Sequence, residues 1–296
     1  LNEVFDVYEV IHQKMKTCTK PIFPILPSVS TARKEVEDFL SKGHINFPDE
    51  VVLGNAIAKV LNTPKPAEEK IFLDGVDIPE IRRIIDLAES GYISENEIQG
   101  LLDAAKIPRV PGAVVKTRKL LIARAEEMGY PVVLKVVGPV HKSDVGGVTL
   151  NVKSKNHLIA EFNRMKKIKG YNGVLIQPML SGLELFLGGK YEPKFGHVIL
   201  CGLGGIFVEV LKDVSSGLAP LTKDEAMSMI RSLRSYRIIS GTRGKEGVNK
   251  DMYAEIIMCL STLLRFATEI KEMDLNPLIG QGNRIIAVDA RIRVEK

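Results

Sequence analysis

The stretch GYPVVLKVVGPVHKSDVGGV, residues 129–148, constrains this chain more than any other. Val132, Val133, Leu134, Val136 and Val137 form the continuous apolar, β-branched run expected of a central strand covered on both faces. Lys135 stands in the middle of that run. A lone ammonium among residues that favour burial is costly unless an anion meets it, and a phosphate would do so. The alternative is a lysine near a strand end whose head reaches water along its own stem. Straight after the strand come His141, Lys142, Asp144 and the pair Gly146–Gly147. An isolated histidine near a turn is ordinarily a polar loop residue, but two adjacent glycines let backbone N–H groups approach a phosphate closely. The unit is neither a GxxxxGK[ST] loop nor a GxGxxG opening a helix after a strand.

Two further features point the same way. GLGGIF, residues 202–207, holds Gly204 and Gly205 and runs into VEVLKD, which offers Glu209, Lys212 and Asp213. By itself a glycine-rich segment between strands is more often a turn. MDLNPL and AVDARI place Asn276 and Asp289 on two short strand-like pieces joined by GQGN, so a hairpin would bring them together. Mg²⁺ accepts octahedral oxygen ligation from one or two protein groups plus substrate phosphates. Alone, Asn276 followed by Pro277 is a common turn pair. With two phosphate-type loops beside them, the three signals converge on nucleotide and magnesium.

At 296 residues the chain exceeds one typical domain, so two units are expected. The first alternates helix-like VFDVYEVIHQKMK, ARKEVEDFLSKG and EVVLGNAIAKVL with strand-like PIFPILP and INFP, the pattern of the tail of an α/β sheet domain over residues 1–62. NTPKPAEEK, rich in Pro, Lys and Glu, opens a linker over 63–77. Residues 78–296 form the second unit. Within it Ser94 and Glu97 make a capping-box signature, so a helix starts at about Ser94. AVVKT reads as a strand, and RKLLIARAEEMG as a helix closed by Gly129. KDEAMSMIRSLRSY and AEIIMCLSTLLRFATEI read as helices, and mixed sheets with flanking helices are expected between these elements. The chain opens at Leu1 inside a helix-like stretch, which reads as a fragment of something longer.

Composition excludes several classes. Hydrophobic residues are 45% and charged residues 26%, ordinary for a folded globular chain. The net charge of +5 is spread along the sequence, which argues against a nucleic-acid face. No apolar run reaches the ~18 residues of a membrane-spanning helix, and the amino-terminal stretch carries acids where a secretory signal carries bases, so a cytoplasmic location is expected. Cys18, Cys201 and Cys259 have no CxxC spacing, so neither a disulfide framework nor a zinc site is indicated.

The motifs KIPRVPGAVV, GYPVVLKVVGPVHKSDVGGVTLNV, VLIQPMLSGLELFLGG, FGHVILCGLGGIFVEVLKDV, LAPL, DLNPL and AVDARI follow one another in an order that resembles the ATP-grasp domain of the ADP-forming acyl-CoA synthetases, relatives of succinyl-CoA synthetase. The likeness runs from about Ile78 to the carboxyl terminus, and the residues before Leu61 resemble the end of the flavodoxin-like ligase domain that precedes ATP-grasp in single-chain members. The resemblance implies an α/β chain: an ATP-grasp domain of two α+β subdomains after the end of a succinyl-CoA synthetase-type domain. It also implies the reversible conversion of acyl-CoA, ADP and phosphate into carboxylate, CoA and ATP, through an acyl phosphate and a phosphohistidine. CoA and the acyl substrate would be held by domains upstream, and the phosphohistidine loop would lie there as well.

On this likeness His141 would relay phosphate, a step for which a neutral imidazole is a competent nucleophile. Lys135 would hold nucleotide phosphates, Gly146 and Gly147 would give the backbone room, and Gly204 and Gly205 would add glycine-loop amides. Gln177, Pro178 and Met179 would line the adenine hinge, and Glu184 would face ribose or adenine. Asn276 and Asp289 would hold Mg²⁺, with Glu209 as an additional carboxylate. ATP or ADP and phosphate are the implied partners, and oligomer formation stays open. The chain departs from the family where an arginine often precedes LAPL: it reads VSSGLAPL, with Gly217. Two other readings stand beside the enzyme: a regulatory nucleotide-binding module without turnover, which the missing arginine favours, and an ATP-grasp ligase joining a carboxylate to an amine, against which HKSDVGGV argues.

Overall fold

The computed structural model describes residues 6–25, 32–63, 73, 75–139, 142, 144–205, 213–242 and 244–296. The chain separates into two compact units, Leu1–Lys65 and Pro66–Lys296.

The first unit holds helices α1 (Asp6–Thr17), α2 (Arg33–Ser41) and α3 (Glu50–Leu61). Tyr8, Ala32, Val36 and Phe39 form its small core, with Tyr8 and Phe39 edge to face at 5.5 Å. Asp49 caps α3 by accepting the Val52 N–H at 2.8 Å. The apolar pieces expected as strands meet, among the described residues, in one parallel bridge between Ile25 and Phe47. Helix α3 buries no residue, and Val51, Val60 and Leu61 stand exposed on it.

The second unit runs α4 (Ile78–Leu87), β1 (Gly91–Tyr92), α5 (Glu95–Ala104), β2 (Ala113–Val115), α6 (Arg118–Met128), β3 (Val132–Val137), β4 (Val148–Val152), α7 (Lys155–Met165), β5 (Gly173–Pro178), β6 (Leu183–Glu192), β7 (Gly196–Leu203) and β8 (Val214–Leu218). It continues with α8 (Lys223–Ser232), α9 (Tyr236–Ser240), β9 (Gly241–Thr242), β10 (Lys245–Glu246), α10 (Lys250–Phe266), β11 (Ile270–Gln281), β12 (Arg284–Ala287) and β13 (Ala290–Val294). A small sheet has the order β2-β5-β3-β4, and a large one the order β1-β13-β11-β6-β7-β8, with β12 also on β11. Every described strand pair is antiparallel, which corrects the expectation of mixed sheets. Consecutive strands β6 and β7 pair with one another through a short direct connection, and such a connection returns the chain antiparallel.

Local chemistry sets the element boundaries. Ser94 and Glu97 close the capping box that opens α5, and Thr222 and Glu225 do the same for α8. Gly129 ends α6 at φ +77°, a conformation costly for residues with a Cβ. KDEAMSMIRSLRSY is two helices rather than one, because the Asp213 carboxylate accepts the N–H groups of Arg234 at 3.0 Å and Ser235 at 2.7 Å and so interrupts the turn.

Helix α10 is apolar around nearly its whole girth and is the centre of the main core, against β6, β7, α4 and α8. Its Tyr253 is fully buried. The Tyr253 hydroxyl donates to Phe186 O at 2.5 Å and accepts the Gly202 N–H at 3.2 Å, and Phe186 and Gly202 are paired positions on β6 and β7. The small sheet has its own core of Leu121, Ala125, Leu158, Phe162 and Met165 from α6 and α7, packed on Val132 and Leu134. Among the described residues no helix is long and apolar enough to cross a membrane.

Candidate functional site

Strand periodicity decides what the small sheet offers. On β3, Val132 and Leu134 point into the helix-covered core, so Val133 and Lys135 point the other way. On the neighbouring strand β5, Gln177 pairs with Val133 and Leu175 with Lys135, and cross-strand partners share a face. Lys135 and Gln177 therefore look out of one surface, yet both are buried, at 5% and 6% exposure.

For Lys135 the cover comes from the large sheet. Lys135 Nζ donates to Val288 O at 2.5 Å and lies 3.5 Å from Asp289 Oδ1, both between β12 and β13. The anion the buried lysine needs is thus an aspartate of this chain, and Lys135 sits inside a strand rather than near its end. Burial pushes the Lys135 ammonium below its usual pKa, and the Asp289 carboxylate works against that shift.

Register brings the two proposed metal ligands together. Leu275 pairs with Ala290 across β11 and β13, Leu278 pairs with Ala287 across β11 and β12, and Val288 N donates to Pro277 O at 3.2 Å. Positions 276 and 289 consequently face each other across the turn. Asn276 Oδ1 accepts the Gly205 N–H at 3.3 Å, and Gly204 N donates to Glu184 O at 2.8 Å. A Cβ on Gly205 would lie 1.9 Å from Glu184 Oε2, so only glycine lets that carboxylate lie against the backbone. Glu184, Gly204, Gly205 and Asn276 form one group where the start of β6 and the end of β7 meet the middle of β11.

Gln177, Pro178 and Met179 lie where β5 leaves the small sheet for β6 of the large one, and Met179 N donates to Pro131 O at 3.2 Å. In the glycine loop, Gly147 N donates to Lys142 O and Gly147 O accepts from Val136 N, each at 2.7 Å. A Cβ on Gly147 would meet Val136 Cγ1 at 2.2 Å. Gly147 is thus required by close backbone packing, and its amide is already committed within the loop. Gly146, at φ +63°, presents its carbonyl to Arg164 Nη1 at 2.7 Å. His141 and Glu209 lie outside the described residues, as does Lys212.

Three side chains enter the site without having been assigned to it from sequence. Lys142 Nζ stands 3.6 Å from both Glu95 Oε2 and Asp289 Oδ1. Arg164 joins Gly146 to Glu161 and Thr149 on α7 and β4. Lys142 stands beside His141 in the sequence, whereas Glu95, a first-turn acid of α5, carries no sequence signal that ties it to this place. Gly217 also finds its reason: a Cβ there would meet Met229 Sδ at 2.7 Å and Leu221 Cδ2 at 2.9 Å, so a side chain would drive into α8.

The ATP-grasp domain model matches residues 87–294, well over half of the chain. The chain belongs to the ATP-grasp family. Within it, the chain is 39% identical over 227 residues to the beta subunit of ADP-forming acetate–CoA ligase I of Pyrococcus furiosus, covering 73% of this chain and 98% of that one. It is 39% identical over 267 residues to ADP-forming acetate–CoA ligase I of Archaeoglobus fulgidus, covering 85% of this chain but 39% of the relative's length. The structure superposes with a TM-score of 0.62 and 31% identity on the dinucleotide-forming acetyl-coenzyme A synthetase 1 of Ca. Korarchaeum cryptofilum in complex with coenzyme A and Mg-AMPPCP, over 74% of this chain and all of that one. This ATP-grasp chain is the nucleotide-binding portion of an ADP-forming ligase of that kind. Relatives named as ligases disfavour the regulatory module, and none of the three joins a carboxylate to an amine by name.

Proposed function

We propose that this chain binds ATP or ADP with Mg²⁺ between its two sheets and serves the nucleotide half of the reversible reaction acyl-CoA + ADP + phosphate → carboxylate + CoA + ATP. The observation that carries the reading is Lys135, a buried cation held against Asp289 across two sheets in a chain of this family.

Lys135 neutralises the transferring phosphates, and Gly204 and Gly205 let the nucleotide come close to the backbone of the large sheet. Gln177, Pro178 and Met179 meet the base along the crossing strand, and Glu184 takes a ribose hydroxyl or the exocyclic amine. His141 takes the phosphoryl group onto a ring nitrogen from the upstream phosphohistidine, which leaves as free imidazole, and gives it up to the terminal oxygen of ADP to form ATP with its own imidazole restored; Gly146 and Gly147 keep the backbone around it thin. Asn276 and Asp289 would hold Mg²⁺ through hard oxygen donors, with Glu209 as a third candidate. Bound there, the ion would supply charge neutralisation at the nucleotide phosphates. CoA, the acyl group and inorganic phosphate reach the reaction through a CoA-binding partner or domain. The work is cytoplasmic. Residues 1–62 fit the end of a flavodoxin-like ligase domain.

The test is calorimetric titration of the chain with ATP, with and without Mg²⁺. Saturable binding strengthened by Mg²⁺ is expected, and absence of binding under both conditions would remove the reading.

A further inference from the structure

We propose that Lys142 is a second phosphate-binding cation of the cleft and that Glu95 is the residue that positions it. The inference rests on the nucleotide reading and extends it to two side chains outside the set given above.

Lys135 and Lys142 both lean on Oδ1 of Asp289, at 3.5 and 3.6 Å. One carboxylate cannot balance two ammonium groups, and the second carboxylate in reach of Lys142 is Glu95, also at 3.6 Å. The Lys142 and Glu95 side chains are 14% and 16% exposed, shielded enough for the pairing to outlast bulk screening. They come from different layers: Lys142 from the loop between β3 and β4 of the small sheet, and Glu95 from the first turn of α5 beside the large sheet. Both ends of the pair are fixed. Glu95 Oε1 accepts from Gln99 Nε2 at 3.4 Å, and the Lys142 carbonyl accepts the Gly147 N–H at 2.7 Å.

This wiring has a consequence once Asp289 turns towards a divalent cation. Lys135 keeps the Val288 carbonyl as its partner, and Lys142 keeps Glu95. Neither ammonium is released into solvent, and both stay aimed at the space the phosphates occupy. Pre-set cations of this kind cost little reorganisation when an anion arrives.

The experiment is calorimetric titration of the full chain with MgATP, comparing the unaltered protein with Lys142→Met, Glu95→Gln, Glu95→Asp and the Glu95→Gln/Lys142→Met pair. Melting temperatures are recorded to confirm folding. Lys142→Met is expected to weaken MgATP by about tenfold or more, the scale of a lost charge-assisted contact. Glu95→Gln is expected to weaken it by about three- to tenfold, with Glu95→Asp in between. The double variant should bind no more weakly than Lys142→Met alone, because Glu95 acts only through the lysine. Unchanged affinity in Glu95→Gln, or losses that multiply in the double variant, would overturn the positioning role. Unchanged affinity in Lys142→Met would overturn the phosphate contact. If the unaltered chain bound no MgATP, the nucleotide reading itself would fall and take this inference with it.

Discussion

Lys135 on the small sheet and Asp289 on the large one stand 3.5 Å apart, although no strand is common to the two sheets. Their meeting places a cation 5% exposed and an acid from the turn after β12 at one spot, and each lowers the cost of burying the other. Gly205 and Asn276 are matched in the same manner nearby. These proposed ligand-binding groups thus satisfy one another, and on the proposed reading a nucleotide would enter by exchange of partners.

Replacing Lys135 with methionine tests both folding and binding. Removing one partner of a buried pair leaves the other uncompensated at a cost of about 3–5 kcal/mol, so the melting temperature is expected to fall, the loss eased by Lys142, which also lies beside Asp289. MgATP affinity should fall by about 1–3 kcal/mol, read by calorimetry. A folded variant that binds MgATP as the parent does would contradict the assignment.

His141→Ala should abolish phosphoryl transfer in the enzyme assembled with its CoA-binding partner while leaving MgATP affinity nearly intact. Radiolabelled phosphate incorporation and calorimetry on the same preparation check it. Parallel losses of both would remove the relay role from His141.

The Arg82 guanidinium grips Glu269 through two hydrogen bonds of 2.9 and 2.8 Å. That grip holds the Glu269 carboxyl at about 2, well below its usual 4.5. A depressed carboxylate stabilises the fold above its ordinary pKa, and the contribution is lost as pH falls from about 4.5 through about 2. Glu269→Gln should therefore melt below the parent at pH 7, with the gap closing across that window. A gap independent of pH would show that charge plays no part.

Tyr253→Phe removes the hydroxyl that bonds Phe186 O and the Gly202 N–H. Two buried backbone groups then lose a partner, at an expected cost of about 1–3 kcal/mol in denaturant unfolding. Because β6 and β7 also carry Glu184 and Gly204 at their ends, MgATP affinity should decline modestly as well.

Gly217→Arg, which brings back a basic residue before LAPL, is expected not to improve MgATP binding. The new side chain meets Met229 and Leu221 instead of the cleft, and overpacking there should cost about 1–3 kcal/mol of stability.

Much of this was legible in the chain. The run VVLKVV announced a central strand carrying a lysine that needed an anion, and β3 is that strand between β5 and β4. The pairing of positions 276 and 289 followed from two strand-like pieces joined by a glycine turn. What stayed hidden were long-range relations: that Asp289 is the lysine's partner, that Glu95 reaches Lys142, and that every described sheet pairing is antiparallel. Local periodicity fixes which face a side chain takes but carries no information about which distant element covers that face. The glycines of the two loops were read as places where the backbone approaches a phosphate. Their neighbours are backbone and apolar atoms as often as they are candidate phosphate space, because Gly147 lies on Val136 and Gly217 on Met229.

The order of the strands has one mechanical consequence. Residues 113–178 leave the large-sheet layer after α5 and return to it at β6, so the small sheet is a leaf hung on two straps. The first strap is fastened by the bridge of Arg109 to Ala287, next to Val288 and Asp289. The second lies against β11, where a Cβ on Gly182 would come within 2.3 Å of Gly280 O. Any swing of the leaf about the line through these fastenings displaces its far rim most, while the atoms beside Asp289 travel least. The chemistry would then sit near the pivot of the molecule, where a large gesture of the leaf becomes a small and repeatable adjustment.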